Sequence, residues 1–140
     1  MAVATTSTTI TVRIPRNVYD WLAQESQKCD QPIEEFASVR IEEAMRMAQL
    51  PGIFFVGDGV DRRARLIGGM DVWEMIMIYQ AHGREGLLDA FDFPEFQIDR
   101  ALTYYEAFPD EIDEILEENS QPVEYWMQKY PELNIQVHEW

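Results

Sequence analysis

The 140-residue chain is poor in cysteine, histidine and basic residues. Its one cysteine, Cys29, excludes an internal disulfide and is typical of a reducing compartment. The two histidines, His82 and His138, lie far apart, and no Cys/His spacing predicts a zinc site. No nucleophile is paired with a base, as covalent catalysis would require. We therefore expect no enzymatic activity, no catalytic residues, no metal and no other cofactor.

Long apolar runs are also missing from the sequence. No stretch reaches the ~20 apolar residues that a membrane-spanning helix needs, and the first residues, MAVATTSTT, lack the apolar core of a signal peptide. We expect a soluble, cytoplasmic protein without membrane contact. The hydrophobic content of 46% is normal for a folded protein.

Charge is strongly one-sided, with 11 Lys+Arg against 26 Asp+Glu and a net charge of -15. The net charge is -2 over residues 1–48, +1 over 49–70, -6 over 71–108 and -8 over 109–140. The first half is therefore compatible with nucleic acid, whereas the second half repels it and suits a basic protein partner. The alternative is that the acidic surface only keeps the protein soluble.

The most informative pattern is an alternation of polar and apolar residues from Thr9 to Ile14, which predicts a strand that Pro15 ends. A lone strand is not stable in water, and the next residues predict two helices instead. We therefore expect a homodimer in which two copies pair this strand. Such a two-stranded ribbon fits the major groove of DNA and would display Thr9, Thr11 and Arg13 on its outer face.

The two helices are predicted from about residue 16 to 28 and from 33 to 48, with a turn at Cys29–Gln31. Asp30 tolerates the left-handed conformation that such a turn requires. The second helix is predicted to carry one apolar face, interpreted as the dimer core and formed by Ile33, Phe36, Ala37, Ile41, Ala44, Met45 and Ala48.

With its strand end Arg13-Ile14-Pro15, this stretch resembles the ribbon-helix-helix family of bacterial transcription repressors and antitoxins. The resemblance implies that the start of the second helix, at Gln31, Pro32 and Ile33, holds a DNA phosphate. Asp30 is a departure, because the family often has glycine in this turn.

Leu50-Pro51-Gly52 ends the second helix and predicts a domain boundary. A β-hairpin is predicted from residues 53–56 and 62–67. It carries the densest basic cluster, Arg62, Arg63 and Arg65, which could contact phosphate or pair with the acidic helices that follow. Helices are then predicted from Asp71 to a stop at Gly83, over 84–91, over 94–108 and over 109–119, a helix-turn-helix arrangement.

Residues 53–119 resemble the domain-of-unknown-function 433 family. The resemblance is carried by Arg62-Arg63-Ala64-Arg65-Leu66, by Gly69-Met70-Asp71-Val72-Trp73-Glu74 and by residues 101–112. It implies a dimeric, antitoxin-like helix-turn-helix unit that acts beside a PIN-like ribonuclease toxin. The helix expected to enter the groove displays an acidic outward face, which favours dimerisation or partner binding over DNA contact. That face is predicted to consist of Glu95, Gln97, Asp99, Arg100, Thr103 and Tyr104.

The tail, residues 121–140, is amphipathic and aromatic, a composition typical of interface hot spots. Its candidate partner-binding residues are Tyr125, Trp126, Met127, Tyr130, Leu133 and Trp140. The alternative is that the tail folds back onto its own domain.

The sequence thus predicts a mainly α fold with a ribbon-helix-helix dimerisation unit (1–49), a β-hairpin plus helix-turn-helix bundle (50–120) and a tail (121–140). The predicted function is that of an antitoxin and transcriptional autorepressor. It would bind operator DNA through the ribbon and neutralise a PIN-like ribonuclease toxin through the acidic half. The alternative is a scaffold that has lost DNA binding. Two dimerising modules would also allow a tetramer.

Overall fold

The computed structural model describes residues 6–91 and 93–133, and within them the chain is mainly helical with one two-stranded antiparallel hairpin. The strands are β1 (Ile53–Val56) and β2 (Arg63–Leu66), and short 3-10 turns occur at Gly59–Asp61 and Pro131–Leu133. The helices are α1 (Arg16–Lys28), α2 (Ile33–Gln49), α3 (Val72–Ala90), α4 (Glu95–Ala107), α5 (Pro109–Asn119) and α6 (Val123–Lys129). None of these helices is long and apolar enough to cross a membrane.

The helices α1 and α2 pack against each other, and their bounds agree with the predicted ones to within about one residue. Asp30 has a φ of 51°, the left-handed conformation expected in the turn, and the Gln31 amide donates to the Ser26 carbonyl at 3.0 Å. The rings of Trp21 and Phe36 pack edge to face with centroids 5.8 Å apart. Of the predicted apolar face of α2, Phe36 is buried against α1, whereas most of the remaining residues are exposed in the single chain.

Residues 6–15 form no strand in the single chain, so the strand predicted at 9–14 is absent there. Every side chain in this segment is exposed, including Ile10 at 72% and Val12 at 61%. The physical reason is that a strand needs a ladder partner, and within the described residues the one sheet consists of β1 and β2, with a single further bridge from Arg65 to Asp71. We call residues 6–15 the N-terminal segment.

The hairpin aligns Ile53 with Leu66 and Val56 with Arg63. Ile53 and Leu66 are buried, so one face of the hairpin lies against the helices. Gly57 begins the turn with a φ of 93°, and a β-carbon at this position would lie 2.7 Å from the Asp61 carbonyl oxygen. Glycine is therefore required where the strands reverse.

The core lies where α3 packs on α4, α5 and β2. Asp71 and Glu74 form a capping box at the start of α3. Gly83 interrupts α3 with φ 71° and ψ -176°, which is the stop that the sequence predicts. Fully buried side chains from these elements form the centre of the core: Leu66, Val72, Met75, Ile76, Leu87, Ile98, Tyr104 and Ile112.

Candidate functional site

The three predicted base-contacting residues of the N-terminal segment, Thr9, Thr11 and Arg13, are all exposed. Of the eleven basic side chains, all of which the structure describes, Arg13 and Arg100 alone form no ion pair within residues 6–91 and 93–133. The Nε of Arg100 is also buried, which leaves Arg13 as the exposed, unpaired cation. Arg13 is therefore available to an external acceptor.

The predicted phosphate contact lies at the start of α2. Gln31 and Ile33 are half-buried and Pro32 is exposed, and no side chain caps this helix end. The first amides of a helix have no acceptor inside it and carry a partial positive charge. They can therefore hold an anion, although Glu34 and Glu35 in the same turn oppose one.

A second surface of α2 is apolar and uncovered in the single chain. With a helical rotation of about 100° per residue, Ala37, Ile41, Ala44, Met45 and Ala48 share one side of α2. Ile41 is 59% exposed and Met45 is 48% exposed. We call these five residues the α2 outer face. Such a contiguous apolar face is typical of a protein–protein contact.

The opposite, inner side of α2 contacts the hairpin through buried charge. The Glu43 side chain is 9% exposed and accepts two hydrogen bonds from Arg62, from Nε and from Nη2, each at 2.7 Å. Arg40 donates a third at 3.3 Å. Burial raises the pKa of the Glu43 carboxyl, and the nearby Arg40 and Arg46 oppose that rise. The bidentate geometry holds α2 against the hairpin at the residue just before β2.

One turn further along α2, Arg46 contacts both α4 and α5. Its Nη1 donates to the Tyr104 hydroxyl at 2.8 Å and to Glu111 Oε1 at 3.0 Å, and Tyr104 donates its own proton to Glu111. The guanidinium also stacks on Phe108, 3.7 Å from the ring centroid. We call Glu43, Arg46, Arg62, Tyr104 and Glu111 the polar junction.

Tyr104 makes the stability of this junction fall when the pH becomes strongly alkaline. Burial and the hydrogen bond to Glu111 raise the pKa of Tyr104 far above its ordinary value. The folded state therefore favours the neutral phenol, and this contribution is complete below the unfolded value of about 10. It is lost as the pH rises from there through the higher folded pKa.

We expect Tyr104→Phe to lower the urea midpoint at pH 8, because the two hydrogen bonds of its hydroxyl, each worth about 1 kcal/mol, are lost. We also expect the midpoint of this variant to fall less steeply above pH 10 than that of the unsubstituted chain. Tyr19→Phe is the control, since Tyr19 is exposed. Equal alkaline slopes for both variants would contradict the assignment.

The predicted outward face of α4 is wrong at two positions. Tyr104 is fully buried and Gln97 is 6% exposed, because both turn towards the hairpin side of the helix. A β-carbon at Gly68 would lie 2.5 Å from Oε1 of Gln97. Glu95, Asp99 and Thr103 are exposed, as predicted. The face that remains is still acidic.

The basic cluster of the hairpin is engaged with acidic groups. Arg65 donates to Asp71 at 2.7 Å, and Arg63 lies 4.0 Å from the same carboxylate. Asp71 begins the helix that follows, as one alternative predicts, but the partner of Arg62 is Glu43 on the preceding helix. The cluster therefore stabilises the fold.

A groove of about 760 Å³ lies between the α1–α2 turn, α2 and the hairpin turn. Its lining carries five basic and five acidic side chains, so it favours neither an anion nor a cation. The charged residues are Lys28, Asp30, Arg40, Glu42, Glu43, Arg46, Asp58, Arg62, Arg63 and Glu111.

The described part of the tail forms α6, whose side chains Tyr125, Met127 and Tyr130 are exposed. The ring of Trp126 stacks on Tyr130 with an angle of 6° between planes. Lys129 connects α6 to Glu118 of α5 at 2.7 Å. Trp140 and the side chain of Leu133 lie outside the described residues.

Within residues 6–91 and 93–133, no group of three or more His, Cys, Asp or Glu side chains is arranged to hold a metal ion. Comparison with protein families, with curated proteins and with solved structures finds no match.

Sequence reasoning missed the polar junction. The sequence feature that could have revealed it is the pair Glu43 and Arg46. These two opposite charges are three residues apart, on the side of α2 opposite its apolar face.

Proposed function

We propose that this protein is a homodimeric, DNA-binding transcriptional autorepressor of the antitoxin type. The observation that carries the proposal is the exposed, alternating N-terminal segment directly before the α1–α2 pair, whose outer face is also uncovered. More than half of the large exposed apolar side chains lie between Ile10 and Met47. Pairing two segments and covering two outer faces would bury this apolar surface.

In this proposal, the paired N-terminal segments contact the DNA. Thr9, Thr11 and Arg13 alternate with the apolar residues and would share the outer face of a two-stranded ribbon. A ribbon of this width enters the major groove. The amides at the start of α2 would hold a backbone phosphate without a basic side chain, which suits a chain whose other cations are mostly paired.

The acidic half supports a protein partner. α5 contains six acidic residues and no basic one, and α6 beside it exposes Tyr125, Met127 and Tyr130. A basic surface with an apolar groove is complementary to both features. A PIN-like ribonuclease toxin is the partner that the family resemblance proposes for this half.

A scaffold without DNA binding is the second candidate. It is favoured by the net charge of -15 and by the ion pairs that occupy Arg62, Arg63 and Arg65. Such a protein would keep the dimer and the acidic partner surface but would show no affinity for its own upstream DNA.

Binding of the full-length protein to its own upstream DNA across a salt series separates the two candidates. The repressor is expected to bind this DNA more tightly than a scrambled sequence, with an affinity that falls as salt rises. Absence of binding at low salt would favour the scaffold.

Deletion of residues 121–140 tests whether the tail binds the proposed protein partner. In co-purification with a PIN-like ribonuclease, the deletion is expected to abolish the complex while the dimer persists. Retained binding would contradict a partner role for the tail.

A further inference from the structure

The two sides of α2 serve different contacts. The outer face is apolar and exposed, whereas the inner side meets the rest of the chain through Glu43 and Arg46. Phe36 of α2 is buried against α1, but within the described residues neither helix supplies a side chain to the buried apolar cluster around α3, to which Leu50, just after α2, belongs. The position of α2 on the hairpin and on α4–α5 is therefore determined chiefly by directional, charged hydrogen bonds.

These bonds connect α2 to α5, the helix beside the exposed aromatic side chains. Glu111 lies in the first turn of α5 and accepts from Arg46. Glu118, two turns later on the same helix, accepts from Lys129 of α6. One short helix thus contacts α2 near one end and α6 near the other.

We propose that the Arg46–Tyr104–Glu111 contact couples α5 to α2 and can open and close, and we call this contact the latch. Through it, a substitution or a bound partner at either helix changes the local stability of the other helix. The proposal extends the proposed function, because it would link occupation of the α5–α6 surface to the helix that carries the outer face. Coupling of this kind is reciprocal by thermodynamic necessity.

The geometry suits a latch more than a permanent bond. The Glu111 side chain is 41% exposed, so water can replace its contacts when the helices separate. Arg46 keeps a second acceptor on its own helix, Glu42 at 2.7 Å, and would not be left unpaired. Opening the contact therefore leaves no buried charge without a partner, and its main cost is that the buried Tyr104 hydroxyl loses both of its partners.

Hydrogen exchange of the full-length protein, without DNA or partner, tests the coupling from the α5 side. Glu111→Gln is expected to speed exchange of the α2 amides about 3- to 10-fold, the effect of weakening one charged contact at a half-exposed site. Glu114→Gln is the matched control, because it makes the same charge change on an exposed residue of the same helix.

The reverse direction uses Arg46→Lys, which keeps the charge but cannot reproduce the planar, forked contact. It is expected to speed exchange of the α5 amides by a similar factor while the core amides of Ile76 and Ile98 stay protected. An effect in one direction only would overturn the latch, as would equal acceleration of the core amides. Because the readout needs no DNA, failure of DNA binding would leave this result interpretable.

Discussion

Arg13→Ala is expected to abolish sequence-specific DNA binding while fold and self-association remain intact. The Arg13 side chain is exposed and makes no ion pair in the described chain, so its removal costs the fold nothing. An arginine bonded twice to a guanine contributes about 1–3 kcal/mol of discrimination. A homodimer presents Arg13 twice, which predicts a loss of roughly 30-fold to more than 10,000-fold in Kd.

Fluorescence anisotropy with labelled upstream DNA measures this loss, and circular dichroism verifies the fold. Arg84→Ala is the control, because it removes the same charge from α3, where Arg84 pairs with Asp99. The control is expected to bind almost as tightly as the unsubstituted chain. If both variants lose affinity equally, net charge rather than base contact would account for binding.

Ile41→Glu is expected to convert the proposed dimer to monomer. Ile41 lies on the α2 outer face and is 59% exposed in the single chain, so a glutamate here is solvated in the monomer. In the dimer the symmetric contact would bury two unpaired carboxylates, each at a cost of several kcal/mol. We therefore expect the dimer dissociation constant to rise by at least about 1,000-fold.

Sedimentation equilibrium measures the association directly. Met77→Glu is the matched control, because Met77 is comparably exposed, at 46%, but lies on α3. It is expected to leave the dimer unchanged. A dimer that survives Ile41→Glu would exclude the α2 outer face as the contact between copies.

Local sequence signals predicted much of the fold. The bounds of α1, the left-handed Asp30, the hairpin and the break at Gly83 agree with the structure. Local features of this kind depend on residues that are close together in the sequence: Pro15 before α1, the glycines at the turns, and Asp71 with Glu74 at the start of α3.

Contacts between distant elements could not be predicted in this way. The partner of Arg62 is Glu43, 19 positions earlier, and the partner of Arg46 is Glu111, 65 positions later. Nothing in the local pattern distinguishes these carboxylates from the other acidic residues. Tyr104 and Gln97 were misplaced because the hairpin covers a side of α4 that periodicity alone assigns to solvent.

The polar junction also constrains how this chain can evolve. Glu43 is buried and Arg62 is half-buried in a bidentate pair, and a buried charge that loses its partner is strongly destabilising. Neither position can therefore lose its charge alone, whereas joint replacement of both by apolar residues leaves no charge of the pair without a partner. Homologous sequences should accordingly show correlated substitution at positions 43 and 62, whereas positions such as 114, whose side chain is exposed, drift independently.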